Sequence, residues 1–181
     1  AVSWLPQWHY AIVFGYDLDQ QTVLMHSGPE ANKKWDMRKF ERSWKLGNYW
    51  GLLVLPPHRL AQTADELTHA AAAAGLQKIG KRKEATTAYQ AMLSRWPSSL
   101  TALIGMGNWA FEKKEFGQAV SYLKVATKNH PNSASAWHNL AIAQRAAKMF
   151  TAASISAKRA VDLASDGTKL QYQKSLGEVL R

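Results

Sequence analysis

A 34-residue period runs through the second half of this chain. Pro97 and Pro131 stand one such period apart, and Ala85, Ala119 and Ala153 keep the same interval. One of these types breaks helices and the other lets helices touch, so a shared period marks copies of one supersecondary unit. A unit of that length holds two helices and a turn. It cannot bury its own apolar face, so the copies must stack on one another.

The register is clearest in the last copy, through Trp137, Leu140, Ala141, Gln144, Phe150, Ala153, Ala157 and Ala160. Leu103, Met106, Gly107, Ala110, Phe116, Ala119, Leu123 and Ala126 repeat it, as do His69, Ala72, Ala73, Leu76, Ala85, Tyr89 and Met92. Small residues at Ala73, Gly107 and Ala141 in one helix, and at Ala85, Ala119 and Ala153 in the next, allow close approach while the bulky positions fill the gaps. Gly80 and Lys114-Glu115 read as turns within hairpins, and Trp96-Pro97-Ser98-Ser99 and His130-Pro131-Asn132-Ser133 as breaks between them. The spacing predicts six helices, near 66–79, 82–95, 100–113, 116–129, 134–147 and 150–164. These residues resemble the tetratricopeptide repeat (TPR) family, with His69 where Trp or Leu is usual and Met92 where Ala is usual. The resemblance implies a mainly α solenoid over 66–181, with units 66–99, 100–133 and 134–165. Asp166 to Arg181, carrying Leu170, Leu176 and Val179, is expected to cap the third unit.

In that family the first helix of each hairpin lines a concave groove that takes a protein or peptide. The resemblance therefore points to Asn108, Phe111, Glu112, Ser135, His138, Asn139 and Arg145 as groove residues. Asn108 and Asn139 match the two asparagines of the subclass that grips a peptide C-terminus, but Ile104 and Ser135 stand where two of its lysines belong. The alternative is that both asparagines hydrogen-bond neighbouring backbone.

Charge follows the same division. The net charge is +10, with 7 Lys/Arg against 6 Asp/Glu in residues 1–65 and 16 against 7 in residues 66–181. Such an excess attracts acidic peptides, anionic headgroups or nucleic acid, and also suits a merely solvated helix face. The cluster Lys78 to Lys83 falls in an inter-helix turn without a recognition motif, so nucleic acid is not the expected partner. No apolar run approaches the roughly 20 residues that cross a bilayer. The sequence holds no cysteine, which excludes disulfides, thiolate metal sites and a thiol nucleophile within it.

The segment 1–57 follows another pattern. Residues 8–16 are β-branched and aromatic, Asp17-Leu18-Asp19-Gln20 is a turn, and Gln21 to Met25 is a second strand. His26-Ser27-Gly28-Pro29-Glu30 reads as a loop and Asp36 to Leu46 as a helix through Met37, Phe40 and Trp44. Tyr49 to Leu55 is expected as a third strand, Pro56-Pro57 as its end and 58–65 as a linker. So small an α+β segment buries too little surface to stand comfortably alone. Trp8-His9-Tyr10-Ala11-Ile12-Val13-Phe14-Gly15-Tyr16-Asp17 and Tyr49-Trp50-Gly51-Leu52-Leu53-Val54 resemble the C-terminal half of a C39-like, papain-like cysteine peptidase domain. The module order is similar to that of bacterial proteins joining such a domain to TPRs, and it suggests a cell-envelope or periplasmic setting for the parent.

That resemblance implies that His9 takes the proton from a cysteine thiol, which then attacks a peptide carbonyl. If Tyr16 pairs with Gln21, His26 lies opposite Ala11, near the place of the family's orienting Asp or Asn. The nucleophile and the oxyanion-stabilising glutamine belong upstream of Ala1. The chain is then expected to be a fragment whose partner is the missing N-terminal half-domain, the other possibility being a degenerate peptidase used for binding. No cofactor is implied. A shared metal is not expected, because strand rise puts Asp17 about 25 Å from His9. The expected activity of this chain by itself is protein or peptide binding.

Overall fold

The computed structural model describes residues 10–179. It is mainly helical, with one small sheet, and divides into two compact units, Ala1–Leu53 and Val54–Arg181. Among the described residues no helix is long and apolar enough to cross a membrane.

The first unit is an antiparallel meander of β1 (Ala11–Asp17), β2 (Thr22–Ser27) and β3 (Glu30–Asp36), in the order β1-β2-β3, followed by α1 (Met37–Leu46). Asp36 caps the helix by accepting from the Lys39 amide at 3.0 Å. Val23 and Met25 on one face of β2 are buried. Trp35 pairs with Val23 and meets Phe40 of α1 edge-on at 6.4 Å, so the helix lies over that face. Phe40, Trp44 and Tyr49 continue the aromatic row.

Two expectations fail in this unit. The third strand is Glu30–Asp36, not Tyr49 to Leu55, which forms no strand. Glu30, Asn32, Lys33 and Lys34 make β3 read as solvated loop, but Ser27 pairs with Glu30, so Gly28-Pro29 is a two-residue hairpin loop and not part of a longer excursion. The register of β1 against β2 also differs. Tyr16 pairs with Val23, and a bulge between Val13 and Gly15 leaves His26 opposite Ile12 instead of Ala11. A slip of one residue moves a side chain to the other face of a sheet. His26 therefore shares its face with Phe14, whose ring lies 4.7 Å away.

Among the described residues the second unit holds seven helices: α2 (Glu66–Lys78), α3 (Arg82–Arg95), α4 (Leu100–Glu112), α5 (Phe116–Asn129), α6 (Ala134–Ala146), α7 (Phe150–Asp162) and α8 (Asp166–Val179). The first six fall where the period predicts them. Their ends repeat as strictly as their cores. Asp65, Ser99 and Ser133, successively one period apart, cap α2, α4 and α6 by accepting from the amides of Thr68, Ala102 and Ala136. Each such cap stabilises its helix by about 1 kcal/mol. Gly80, Lys114 and Lys148, at the same interval, carry φ of 81°, 63° and 61°. Each ends the first helix of a hairpin in a left-handed turn, with the next amide reaching back to the carbonyl of Leu76, Ala110 or Gln144.

Between the helices the small residues are buried as their spacing requires: Ala73, Ala85, Ala119, Ala141 and Ala153 are all covered, around Met92, Leu123 and Leu140. Gly105 marks the tightest approach, since a Cβ there would lie 2.3 Å from the Tyr89 ring. Ahead of α2, Leu60 packs on the first core cluster, and the Arg95 guanidinium donates to the carbonyls of Ala61 and Gln62 at 2.9 and 3.1 Å. At the far end α8 covers the third hairpin, with Leu176 against Ala141, Ala153 and Ala157. Leu170, expected to join that cap, is exposed. Tyr172 takes part instead, stacking on His138 with ring centroids 4.5 Å apart.

Candidate functional site

The first helices of the three hairpins, α2, α4 and α6, contribute to one cavity of about 370 Å³. Asn108, Phe111 and Glu112 line it from α4, Asn139 and Ile142 from α6, and Gln77 from α2. The placement follows from helical spacing, since residues three or four apart share a face. Leu123 of α5 forms part of the wall, where it packs in the core cluster holding Ala110 and Leu140.

The polar groups of this cavity are prepared to different degrees. Asn108 and Asn139 are half-buried, and neither side chain has a hydrogen-bond partner among the described residues. Glu112 is engaged, its Oε2 accepting from the Arg82 guanidinium at 2.6 Å. Both partners are well exposed, so the pair adds little to stability, but it offsets the carboxylate charge at the cavity. Gln77 is held from behind by Tyr89, whose hydroxyl donates to its Oε1 at 2.9 Å. Burial pushes the Tyr89 phenol above its ordinary value, which keeps it protonated and a donor.

Ser135, His138 and Arg145, grouped with these residues by sequence, do not line the cavity. Ser135 is exposed at the start of α6, its hydroxyl 3.1 Å from that of Ser133. His138 lies beneath Tyr172, where loss of solvent lowers its imidazole below the ordinary histidine value. Arg145 is exposed in the last turn of α6. Gln77 and Ile142 are lining residues that sequence reasoning missed. For Gln77 a signal existed, because it is the first amide side chain after the apolar stretch Ala70 to Leu76.

In the sheet unit, His9 lies outside the described residues. His26 accepts at Nδ1 from the Asn32 amide at 3.2 Å, so backbone, not a carboxylate, orients its ring. Among the described residues no group of three His, Cys, Asp or Glu could hold a metal ion.

No protein-family model and no curated protein sequence matches this chain. Solved structures do. A MamA structure covering residues 41 to the end, from Desulfovibrio magneticus RS-1, is similar with a TM-score of 0.54 at 22% identity, over 64% of this chain and 64% of that one. The first TPR domain of Spaghetti (RPAP3), bound to the HSP90 peptide SRMEEVD, gives 0.57 at 19%, over 67% of this chain and 94% of that one. YrrB, described as a TPR protein with an unusual peptide-binding site, gives 0.56 at 17%, over 78% and 64%. The chain thus spans less than two-thirds of the MamA and YrrB chains. Identities this low establish fold alone, and the fold is a TPR-type solenoid, an architecture whose solved members include peptide-binding modules.

Proposed function

We propose that the helical unit is a peptide-binding module whose ligand lies in the cavity between α2, α4 and α6, held by Asn108 and Asn139 against the apolar wall of Phe111 and Ile142. The observation that carries this reading is the pair of half-buried asparagines without protein partners, on adjacent helices of one cavity of about 370 Å³. Side-chain amides that no protein group engages keep their donors and acceptors for a ligand entering the groove. Ser135 and Arg145 extend the surface at the two ends of α6. His138 serves the α8 cap. Asn108→Ala and Asn139→Ala should each weaken peptide binding about tenfold, read by fluorescence anisotropy, with the helical circular dichroism unchanged. Unaltered affinity in both variants would remove the cavity from consideration.

For residues 1–57 we propose the C-terminal half of a C39-like cysteine peptidase domain, with His9 as the general base of a larger parent. The reading is supported by the resemblance at Trp8 to Asp17 and Tyr49 to Val54, and by β1, where Ile12, Phe14 and Tyr16 are 67, 50 and 68% exposed. An apolar strand so open suits a surface that further polypeptide covers. The natural reading frame should then encode a glutamine followed closely by a cysteine upstream of Ala1. The product should hydrolyse peptides and lose that activity on His9→Ala. A longer frame without cysteine ends the proposal.

A further inference from the structure

We infer that the groove takes an internal stretch of extended peptide and reads its main chain, with Gln77 donating to a ligand carbonyl oxygen and Glu112 accepting from a ligand N–H. This rests on the peptide-binding reading above and adds the mode of recognition, which determines what kind of segment qualifies.

A glutamine amide free to rotate offers a donor or an acceptor with equal ease. Gln77 is not free, because the Tyr89 hydroxyl donates to its Oε1 at 2.9 Å. With the oxygen turned toward Tyr89, the amide orientation is set, and Nε2 presents two N–H donors to a ligand while Oε1 keeps one lone pair. Tyr89 is itself fixed. It is 3% exposed and lies so close to α4 that only a residue lacking a Cβ fits at Gly105. Gly105 admits the ring, the ring holds the amide oxygen, and the amide keeps its donors for whatever enters the groove.

Glu112 lines the same cavity and supplies the opposite character. Arg82 occupies its Oε2, and Oε1 has no partner among the described residues. A donor and an acceptor in one cavity complement a peptide group, which carries one of each. They do not complement a terminal carboxylate, which offers acceptors only and leaves the Glu112 acceptor without a donor to pair with.

The test uses an array of octapeptides in two formats: acetylated and amidated at the ends, or with the same sequences ending in a free carboxylate. The strongest binder is then titrated by fluorescence anisotropy against the full chain and its variants. Capped peptides should bind at least as tightly as the free acids. Gln77→Glu replaces the donors by acceptors and should weaken the capped ligand about tenfold. Tyr89→Phe releases the amide to turn over and should weaken it about threefold, and Gln77→Lys, which restores a donor, should recover most of the affinity. Binding that requires the free carboxylate, or that is unchanged in Gln77→Glu, overturns the inference while leaving the peptide-binding reading intact. Absence of binding in both formats overturns the reading itself, and the inference with it.

Discussion

Gly105→Ala should lower stability by about 2 kcal/mol and shift thermal unfolding down by several degrees. Alanine is the better helix former by up to about 1 kcal/mol, so intrinsic propensity alone predicts the opposite sign. Packing decides against it. The added Cβ would lie 2.3 Å from Cε2, 2.6 Å from Cδ2 and 2.7 Å from Cζ of Tyr89, far inside van der Waals contact. Such an overlap is cheap where a flexible side chain can swing away. The Tyr89 ring cannot, since it belongs to the core cluster of Ala73, Met92 and Met106 and its hydroxyl is tied to Gln77. Relief must come from separating α3 and α4, which weakens every contact between the first two hairpins. Tyr89→Leu in the Gly105→Ala background should recover part of the loss, and the double-mutant cycle measures the overlap directly. A Gly105→Ala protein as stable as the parent would show that the two helices are not in the close contact described.

The helical array was legible in the sequence because its period is written several times over. Prolines, alanines, the caps Asp65, Ser99 and Ser133, and the turn residues Gly80, Lys114 and Lys148 all keep the same interval. Each enforces a different local conformation, so each reports the unit independently. Asn108, Phe111 and Glu112 share one face of α4 for the same reason, and the resemblance to the repeat family singled them out together with Asn139. What escaped depends on contacts that no local pattern announces. His138 shares the helix of Asn139, but α8 returns over it and places Tyr172 on its ring. Gln77 gained its significance from Tyr89 on the next helix, through the space left by Gly105. In the sheet, β3 has the composition of a loop and is a strand because a two-residue turn returns it beside β2. The bulge between Val13 and Gly15 altered the register in which His26 was expected.

Leu123→Ala should be the most destabilising single truncation in the groove wall, by about 3 kcal/mol. Leu123 is 1% exposed, and its cluster joins Ala110 of α4 and Ala119 and Val120 of α5 to Leu140 and Ala143 of α6. Its removal therefore loosens the joint between the second and third hairpins as well as the interior of the second. In a stacked array each unit is stabilised by its neighbours, so a weak centre divides the array into parts. Hydrogen exchange should accordingly accelerate in α4, α5 and α6 before α3, whose contacts with α2 are untouched. Gly107 supplies a sharper discriminator, because a Cβ there would meet Leu123 Cγ at 2.7 Å. Alone, Gly107→Ala overpacks this spot. Combined with Leu123→Ala, the same methyl enters space the leucine has vacated. The double variant should then be more stable than the sum of the two single losses by about 1 kcal/mol, measured by denaturant unfolding. Strict additivity would mean that neither loss arises at the contact between these two residues, and that the wall of the groove is supported from elsewhere.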